Sequence, residues 1–450
     1  MNYNSFSLNT LGKINNFNKI IKPDSDKSIS IRCFLIGSIS HNISKADNIL
    51  ESDDIFSTIH CLKQLGVKIK RIKPGKYEIF GKGLGSLFCK KNTLINCQNS
   101  GTLARILCSI LTTTPGIEIN ITGDHSLKKR NMMKLINLME QFGAEFFPKK
   151  KYNFPLKLVS SEMPIGIEYK SGVSAQLKSA VIMAGLNSYG NTEIIEEEKS
   201  RDHTENILLG SPKIIKIKKK GKKIIKIIGK KSLNALNIKV PNDPSSSAFF
   251  SALTILNTNS NLKIKNVGLN PTRIGFYEIL KKHGAKIKFI NKRKNNNEIV
   301  GDILIKSGKI KPIFAPKEYY VKATDEYPIM FVIAALTPGV SVFKGIGDLA
   351  NKESNRIKEM QEILRQVKVK SIAKKNELKI FGKIIKNKKN KIIKVKNLGD
   401  HRICMSAVIL SLITGINAKI KNFETVKTSS PSFLKIIKLL GGNYEIKKQS

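Results

Sequence analysis

Tryptophan is absent from this 450-residue chain, and arginine is scarce, supplying only ten of its 79 basic residues. Base and phosphate recognition in nucleic-acid binders leans on arginine forks and aromatic platforms. The net charge of +45 is therefore not read as a specific nucleic-acid interface. Lysine instead alternates with isoleucine and asparagine, as in 214–228 and 384–396, where strand alternation would put lysine on a solvated face. Weak attraction to polyanions at low salt is expected, and negatively charged substrates would be drawn in. No run of 18 apolar residues exists, so no membrane span is expected. Met1-Asn2-Tyr3-Asn4-Ser5 has neither a basic nor an apolar leader region, so no secretory signal is expected. The six cysteines, at 33, 61, 89, 97, 108 and 404, lack paired metal spacing and read as reduced, mostly buried thiols of a cytoplasmic protein. His203, His283 and His401 lack partners at ligand spacing, so no metal is expected. Hydrophobic content of 41% supports a sizeable core, and the length calls for two or more domains.

What is present is a repeat. An amphipathic helix, a small residue and a lysine-bearing strand recur as Leu65-Gly66-Val67, Phe142-Gly143-Ala144, His283-Gly284-Ala285 and Leu440-Gly441-Gly442. Weaker copies are Leu208-Leu209-Gly210 and Gln366-Val367-Lys368. The anchors 66, 143, 210, 284, 367 and 441 lie about 75 residues apart on average, too long a period for a solenoid. Glycine at a helix end suits a left-handed cap. Six units fill the chain, giving an α/β fold built by repetition, three units to each of two domains. The strong apolar helices are expected at 28–38, 102–111, 175–186, 245–256, 327–336 and 401–413, with strands at 90–98 and 340–344.

Each apolar helix follows a polar cluster. Lys27 and Ser28 open the first, with Arg32 one turn on. A cation in the first helical turn is disfavoured by the helix dipole, and a bound anion would repair that. Asn99-Ser100-Gly101-Thr102 opens another, its glycine allowing an anion close to backbone N–H groups. Gly123–Arg130 ends a strand with three cations. Ser174-Ala175-Gln176, Ser200–Glu205 and Asp400-His401-Arg402 complete the set. Ser28, Asn99 and Ser174 are also readable as plain helix caps. Arg201 with Asp202, and Asp400 with Arg402, are readable as structural ion pairs. Asp325-Glu326-Tyr327-Pro328 and Lys352-Glu353-Ser354-Asn355-Arg356 offer carboxylates beside fixed cations, suited to proton transfer next to an anion. Glu353 and Arg356 are read as neighbours on the face of a helix beginning there.

Taken in order, these clusters resemble the 5-enolpyruvylshikimate-3-phosphate synthase family, from about Lys22 to Gly442. The most specific stretches are Leu269-Asn270-Pro271-Thr272-Arg273 with Gly275, and the 325–328 and 352–356 segments. Val240-Pro241-Asn242-Asp243-Pro244-Ser245-Ser246 and Asp400-His401-Arg402 add to them. The resemblance implies two domains, each of three βαβαββ units, with the active site in the interdomain cleft. The domains would be residues 1–22 plus 240–450, and 23–239, with hinges near 21–26 and 235–243. It implies transfer of the enolpyruvyl group of phosphoenolpyruvate to the 5-hydroxyl of shikimate-3-phosphate, with release of phosphate and no metal or other cofactor. By the same resemblance Asp325 would be the base near the 5-hydroxyl, and Glu353 and Lys27 would shuttle the methylene proton. Lys27, Ser28, Arg32, Ser174, Gln176, Arg201, Asp325 and Lys352 would hold shikimate-3-phosphate. Lys27, Gly101, Arg130, Gln176, Arg356 and Arg402 would hold phosphoenolpyruvate. Five of the ten arginines (32, 130, 201, 356 and 402) thus sit at motif positions in a lysine-dominated chain. Gly101 keeps the small side chain that leaves room for glyphosate, so sensitivity to it is implied.

The chain departs from the family pattern near its C-terminus. Thr428 stands where many members carry a lysine, Ser430 where an aromatic is usual, and Ala175 where many have serine. Two rival readings remain. The sister family transferring enolpyruvate to a UDP-linked amino sugar, UDP-N-acetylglucosamine, uses a loop cysteine, and 123–130 has none. A drifted, basic polyanion-binding protein would have lost the carboxylates and arginines that persist here. A monomer is expected, with no membrane partner and no specific nucleic acid.

Overall fold

The computed structural model describes residues 5–385, 391–396 and 398–448. The chain divides into two compact units. One holds the N-terminal segment up to Asp24, Pro241–Arg293 and the chain from Ile299 onward. The other holds Ser25–Val240 and the short piece Lys294–Glu298. Each has its own apolar core, one drawn from residues such as Phe249, Tyr327, Phe331 and Val408, the other from Phe34, Leu107, Val181 and Ile225.

The expected βαβαββ repeat appears six times, three times in each unit. In one copy, strand Thr93–Asn96, helix Gly101–Thr112, strand Glu118–Thr122, helix Met133–Gln141 and strands Glu145–Phe147 and Leu156–Val159 follow in order. A short helix, His125–Lys128, is inserted. The four strands form one sheet in which Thr93–Asn96 runs parallel to Glu118–Thr122 and the remaining pairings are antiparallel. Among the described residues there are six sheets, all four-stranded and ordered alike.

Two repeats take their first strand from far along the chain. Asn18–Ile21 pairs in parallel with Asn261–Gly268 and heads the repeat whose helix is Pro244–Leu256. Asn237–Lys239 pairs with Ile43–Asp47 and heads the repeat whose helix is Lys27–Ser38. At each crossing the chain leaves a strand in one unit and places the following helix in the other. The short piece Lys294–Glu298 is the tip of a hairpin. Its side chains bind the second unit's backbone, Asn296 donating to the Asn237 carbonyl (2.8 Å) and Asn297 to the Asn206 carbonyl (3.1 Å).

The six apolar helices are Lys27–Ser38, Gly101–Thr112, Ala175–Leu186, Pro244–Leu256, Tyr327–Leu336 and His401–Thr414. They are buried on nearly all sides because their sequences offer no polar face beyond the first turn. Six further helices close the repeats among the described residues; all are amphipathic except His203–Leu208, which is buried at every residue but Asn206. In five of them the predicted cap is a Schellman motif, with Gly66, Gly143, Gly284, Lys368 and Gly441 at positive φ. The next amide then reaches back five residues, as Val67 N–H does to the Leu62 carbonyl (3.0 Å) and Ala285 N–H to that of Leu280 (2.9 Å). Two details differ from expectation. The left-handed residue of the fifth copy is Lys368, not Val367. At Gly210 there is no positive φ, and Ser211 N–H bonds to the Leu208 carbonyl, so that helix ends in a tighter turn.

The lysine-rich strands alternate as expected. Ile225 and Ile227 are buried, and in Ile215–Lys220 Lys216 and Lys218 face outward. Of the run 384–396, residues 386–390 lie outside the described residues. Within strand Ile392–Val395, Ile393 and Val395 are buried and Lys394 is exposed. Among the described residues no helix is long and apolar enough to cross a membrane.

Candidate active site

The unit containing Ser25–Val240 collects its polar groups at the starts of its three apolar helices. Asp26 caps the first, accepting from Ile29 N–H at 2.9 Å, so Ser28 is not the cap. Lys27 occupies the first turn, and Asp54 lies 3.1 Å from its ammonium. That carboxylate offsets part of the dipole penalty an anionic ligand would otherwise relieve. Arg32 is buried and held on three sides. Its guanidinium donates to the Ser28 carbonyl (2.9 Å), to Thr204 Oγ1 (2.7 Å) and to Ser179 Oγ (2.9 Å).

The second helix is capped by Ser100, not Asn99. Asn99 instead accepts from Arg130 Nη2 at 2.8 Å, which orients that guanidinium. Gly101 is small for a reason visible here. A Cβ on it would lie 2.7 Å from Arg130 Nη1 and 2.8 Å from Arg105 Nη1. Two guanidiniums therefore crowd one helix N-terminus, a concentration of positive potential suited to an anion. Arg105 was not among the residues singled out from sequence. It donates to Gln176 Oε1 at 2.9 Å, and Gln176 Nε2 donates to Thr102 Oγ1 at 3.0 Å. Its one available signal was its place four residues after Gly101, on the same helix face. The third helix is capped by Ser174, so that hydroxyl serves the backbone. Arg201 is half-buried in the loop between strand Asn191–Glu196 and helix His203–Leu208.

The other unit gathers its groups around one arginine. Helix Arg356–Gln366 starts later than expected, with Asn355 as its cap, so Glu353 precedes it rather than sharing its face. The contact survives in another geometry, Arg356 Nη2 donating to Glu353 Oε2 at 2.6 Å. Arg356 also donates from Nε to Asp400 Oδ2 at 2.9 Å, and its Nη1 lies 3.8 Å from Asp325 Oδ1. The Arg356 side chain is 1% exposed, whereas Asp325 and Glu353 keep 24% and 21% of theirs open. Burial works against the Arg356 charge, but Asp400, Glu353 and Asp325 outweigh it and push its pKa up.

Asp400 thus pairs with Arg356, not through its side chain with the Arg402 guanidinium. It caps the helix His401–Thr414 through Arg402 N–H (3.0 Å) and accepts from Ser354 Oγ (2.9 Å). The Arg402 guanidinium lies 5.8 Å from the centre of the Phe249 ring. Its Nε and Nη1 are buried with no hydrogen-bond partner among the described residues. Buried donors of this kind are rare unless something else satisfies them. Lys352 is engaged by Asp348 (2.6 Å), which also accepts from Tyr320 OH (2.9 Å).

Several of the most specific sequence stretches prove to be scaffolding for this second set. Arg273 donates to Asp243 Oδ1 (3.1 Å) and Ser245 Oγ (2.9 Å), and Ser245 in turn donates to Glu326. Three separated motifs thereby lock the segment that presents Asp325. In the divergent C-terminal stretch, Thr428 Oγ1 donates to the Thr425 carbonyl at 2.7 Å, so its hydroxyl is used within its own turn. Ser430 is buried and hydrogen-bonded to Ser246 at 2.6 Å.

Comparison with known proteins bears on the family. The family model described as EPSP synthase (3-phosphoshikimate 1-carboxyvinyltransferase) matches residues 11–437. A 3-phosphoshikimate 1-carboxyvinyltransferase of Petrotoga mobilis is 36% identical over 94% of this chain and 96% of its own. One from Caldicellulosiruptor bescii is 37% identical over 94% and 96%. The solved EPSP synthase of Acinetobacter baumannii superposes with a TM-score of 0.84 at 32% identity, over 98% of this chain and all (100%) of that one. The enolpyruvyl transferase NikO of Streptomyces tendae shares the fold alone, with a TM-score of 0.77 at 10% identity, over 99% and 100% of the two chains. The chain therefore belongs to the EPSP synthase family, the 3-phosphoshikimate 1-carboxyvinyltransferases, and is a transferase of aromatic amino acid biosynthesis by the shikimate pathway.

Proposed function

We propose that the two residue sets divide one reaction between them, the transfer of enolpyruvate from phosphoenolpyruvate to the 5-hydroxyl of shikimate-3-phosphate. The observation that carries this reading is the pair of partly open carboxylates, Asp325 and Glu353, set against one buried guanidinium. Asp325 takes the proton of the 5-hydroxyl as its oxygen bonds to C2 of phosphoenolpyruvate. Glu353, with Lys27, delivers a proton to the C3 methylene, giving a tetrahedral adduct. Collapse of that adduct breaks the C2–O bond to phosphate, and the C3 proton returns to the same groups. Both steps need an acid and a base held in place, which is what carboxylates anchored by Arg356 supply.

The cationic groups bind the substrates' charges. Gly101, Arg130, Arg356, Arg402, Lys27 and Gln176 take phosphoenolpyruvate. The unsatisfied Arg402 donors and the paired guanidiniums over Gly101 support that assignment. Lys27, Ser28, Arg32, Ser174, Gln176, Arg201, Asp325 and Lys352 take shikimate-3-phosphate. Arg105 joins them by orienting Gln176. The reading places a monomer in the cytoplasm.

The test is phosphate release from phosphoenolpyruvate, with shikimate-3-phosphate or UDP-N-acetylglucosamine offered as acceptor. Release is expected only with shikimate-3-phosphate, and is expected to fall at least about 100-fold in Asp325→Ala and in Glu353→Ala. Release with the UDP-sugar instead, or full activity in both variants, would overturn the reading.

A further inference from the structure

Away from the groups just assigned, the unit containing Ser25–Val240 buries a second set of charges. Lys178, on the helix Ala175–Leu186, is fully enclosed at 0% exposure. Its ammonium lies 2.6 Å from Glu196 Oε1 and 2.7 Å from Glu205 Oε1, and 3.5 Å from the Ser200 carbonyl. Lys223 adds a second cation, 2.9 Å from Glu196 Oε2 and 3.5 Å from Glu205 Oε1. Burial pushes the Glu196 pKa up, but Lys178 and Lys223 outweigh it and hold the carboxyl below its ordinary value. Two cations and two carboxylates make the cluster neutral.

The placement of the two carboxylates is what gives the cluster meaning. Glu196 is the last residue of strand Asn191–Glu196, and Glu205 lies in the first turn of helix His203–Leu208. The loop between them carries Arg201. Lys178 therefore ties together both ends of that loop, and touches it a third time at Ser200. Glu196 Oε1 also accepts from Ser200 N–H at 3.1 Å, fixing the residue beside Arg201. From the other side His203 Nδ1 meets Glu298 Oε1 at 2.7 Å, and Asn206 donates to the same oxygen at 3.1 Å. Next to Glu205, Thr204 accepts from Arg32. A loop closed by one buried cation loses most of the conformations that would carry Arg201 away from its ligand, so the ordering cost is met at folding rather than at binding.

We propose that Lys178 is a positioning residue for shikimate-3-phosphate: by clamping Glu196 and Glu205 it holds Arg201 where the substrate's phosphate is bound. This rests on the assignment of Arg201 to that phosphate made above.

Lys178→Met alone would leave two buried carboxylates facing one lysine. The test therefore pairs it with Glu205→Gln, or with Glu196→Gln should the first pair not fold, removing one charge of each sign. Binding is measured by calorimetry without phosphoenolpyruvate, with shikimate-3-phosphate and with shikimate, which lacks the phosphate, as probes. The double variant is expected to bind shikimate-3-phosphate about tenfold more weakly and shikimate within about twofold of the parent. In an Arg201→Ala background the same pair of changes is expected to cost less than about twofold, because nothing remains to be positioned. Unchanged shikimate-3-phosphate affinity in the folded double variant, an equal loss for both ligands, or the full loss persisting without Arg201 would overturn the proposal. If Arg201→Ala alone binds shikimate-3-phosphate like the parent, the underlying assignment is what fails, and the positioning role falls with it.

Discussion

In the unit containing Ser25–Val240, the buried Lys178 and the half-buried Lys223 face two buried carboxylates, Glu196 and Glu205. In the other unit one buried guanidinium, Arg356, faces three carboxylates, of which Asp400 is buried while Asp325 and Glu353 stay partly open. The first set is balanced in charge, as a structural clamp should be. The second sets two carboxylates partly open to solvent beside one buried guanidinium, a poor way to add stability and a good way to hold groups that exchange protons. The contrast separates charge that shapes the protein from charge that is available for chemistry.

The contrast breaks most severely at Arg356. Arg356→Gln would leave Asp400 buried without its cation, at a cost of about 3–5 kcal/mol in urea unfolding. A loss below about 1 kcal/mol would mean the guanidinium is not the centre of that set. Asp325→Asn and Glu353→Gln sharpen the comparison from the opposite direction. Their partial exposure predicts stability within about 1 kcal/mol of the parent. Their turnover is expected to fall about 10²–10⁴-fold, equivalent to about 3–5 kcal/mol in the barrier. A stability loss as large as that of Arg356→Gln would instead place them with the structural charges.

Asp24 gives a third comparison, a carboxylate held by hydroxyl and amide donors. It accepts from Ser432 N–H (3.1 Å) and Oγ (2.7 Å). Burial raises its pKa from 3.8 to about 6, outweighing those hydrogen bonds, with Asp243 adding to the rise. The folded state thus favours the neutral acid. The stability this gives is fully present below about pH 4 and is lost as pH rises through about 6. Asp24→Asn should therefore gain up to about 2 kcal/mol at pH 7 and nothing at pH 3, in unfolding measured across that range. Equal effects at both pH values would show that the charge is not destabilising.

The smallest effect is expected at Gly101. An added Cβ would press on the ends of Arg130 and Arg105, which are flexible enough to move without unfolding the helix. Gly101→Ala should raise the KM for phosphoenolpyruvate about tenfold, or about 1.4 kcal/mol, and leave that for shikimate-3-phosphate unchanged. Glyphosate is expected to compete with phosphoenolpyruvate in the parent and to do so less well in this variant. An unchanged KM would remove the two guanidiniums from phosphoenolpyruvate binding.

Much of the fold was legible in one dimension because its signals are local. A glycine two residues past a helix end, repeated at intervals of about 75, marks a cap whose hydrogen bonds span six residues. The apolar helices stand out because burial on all sides forbids a polar face. Lys368 escaped exact placement because a lysine carries no sign of a left-handed conformation, and Gly210 misled because a glycine permits that conformation without requiring it. The motif residues were found as a set, but their pairing was not. Asp400 was matched to the arginine two residues away, whereas its guanidinium partner comes from 44 positions earlier.

The sequence by itself determined the repeat, the six apolar helices, the family and the inventory of charged groups, since each is carried by residue type and spacing along a few turns of chain. Only the tertiary structure decided which charge meets which. Arg356 with Asp400, Arg105 with Gln176, and Lys178 with Glu196 and Glu205 are pairings made across elements by burial. An ionised group taken out of water accepts whichever opposite charge the packing brings within reach, and that choice is not written in the spacing of residues.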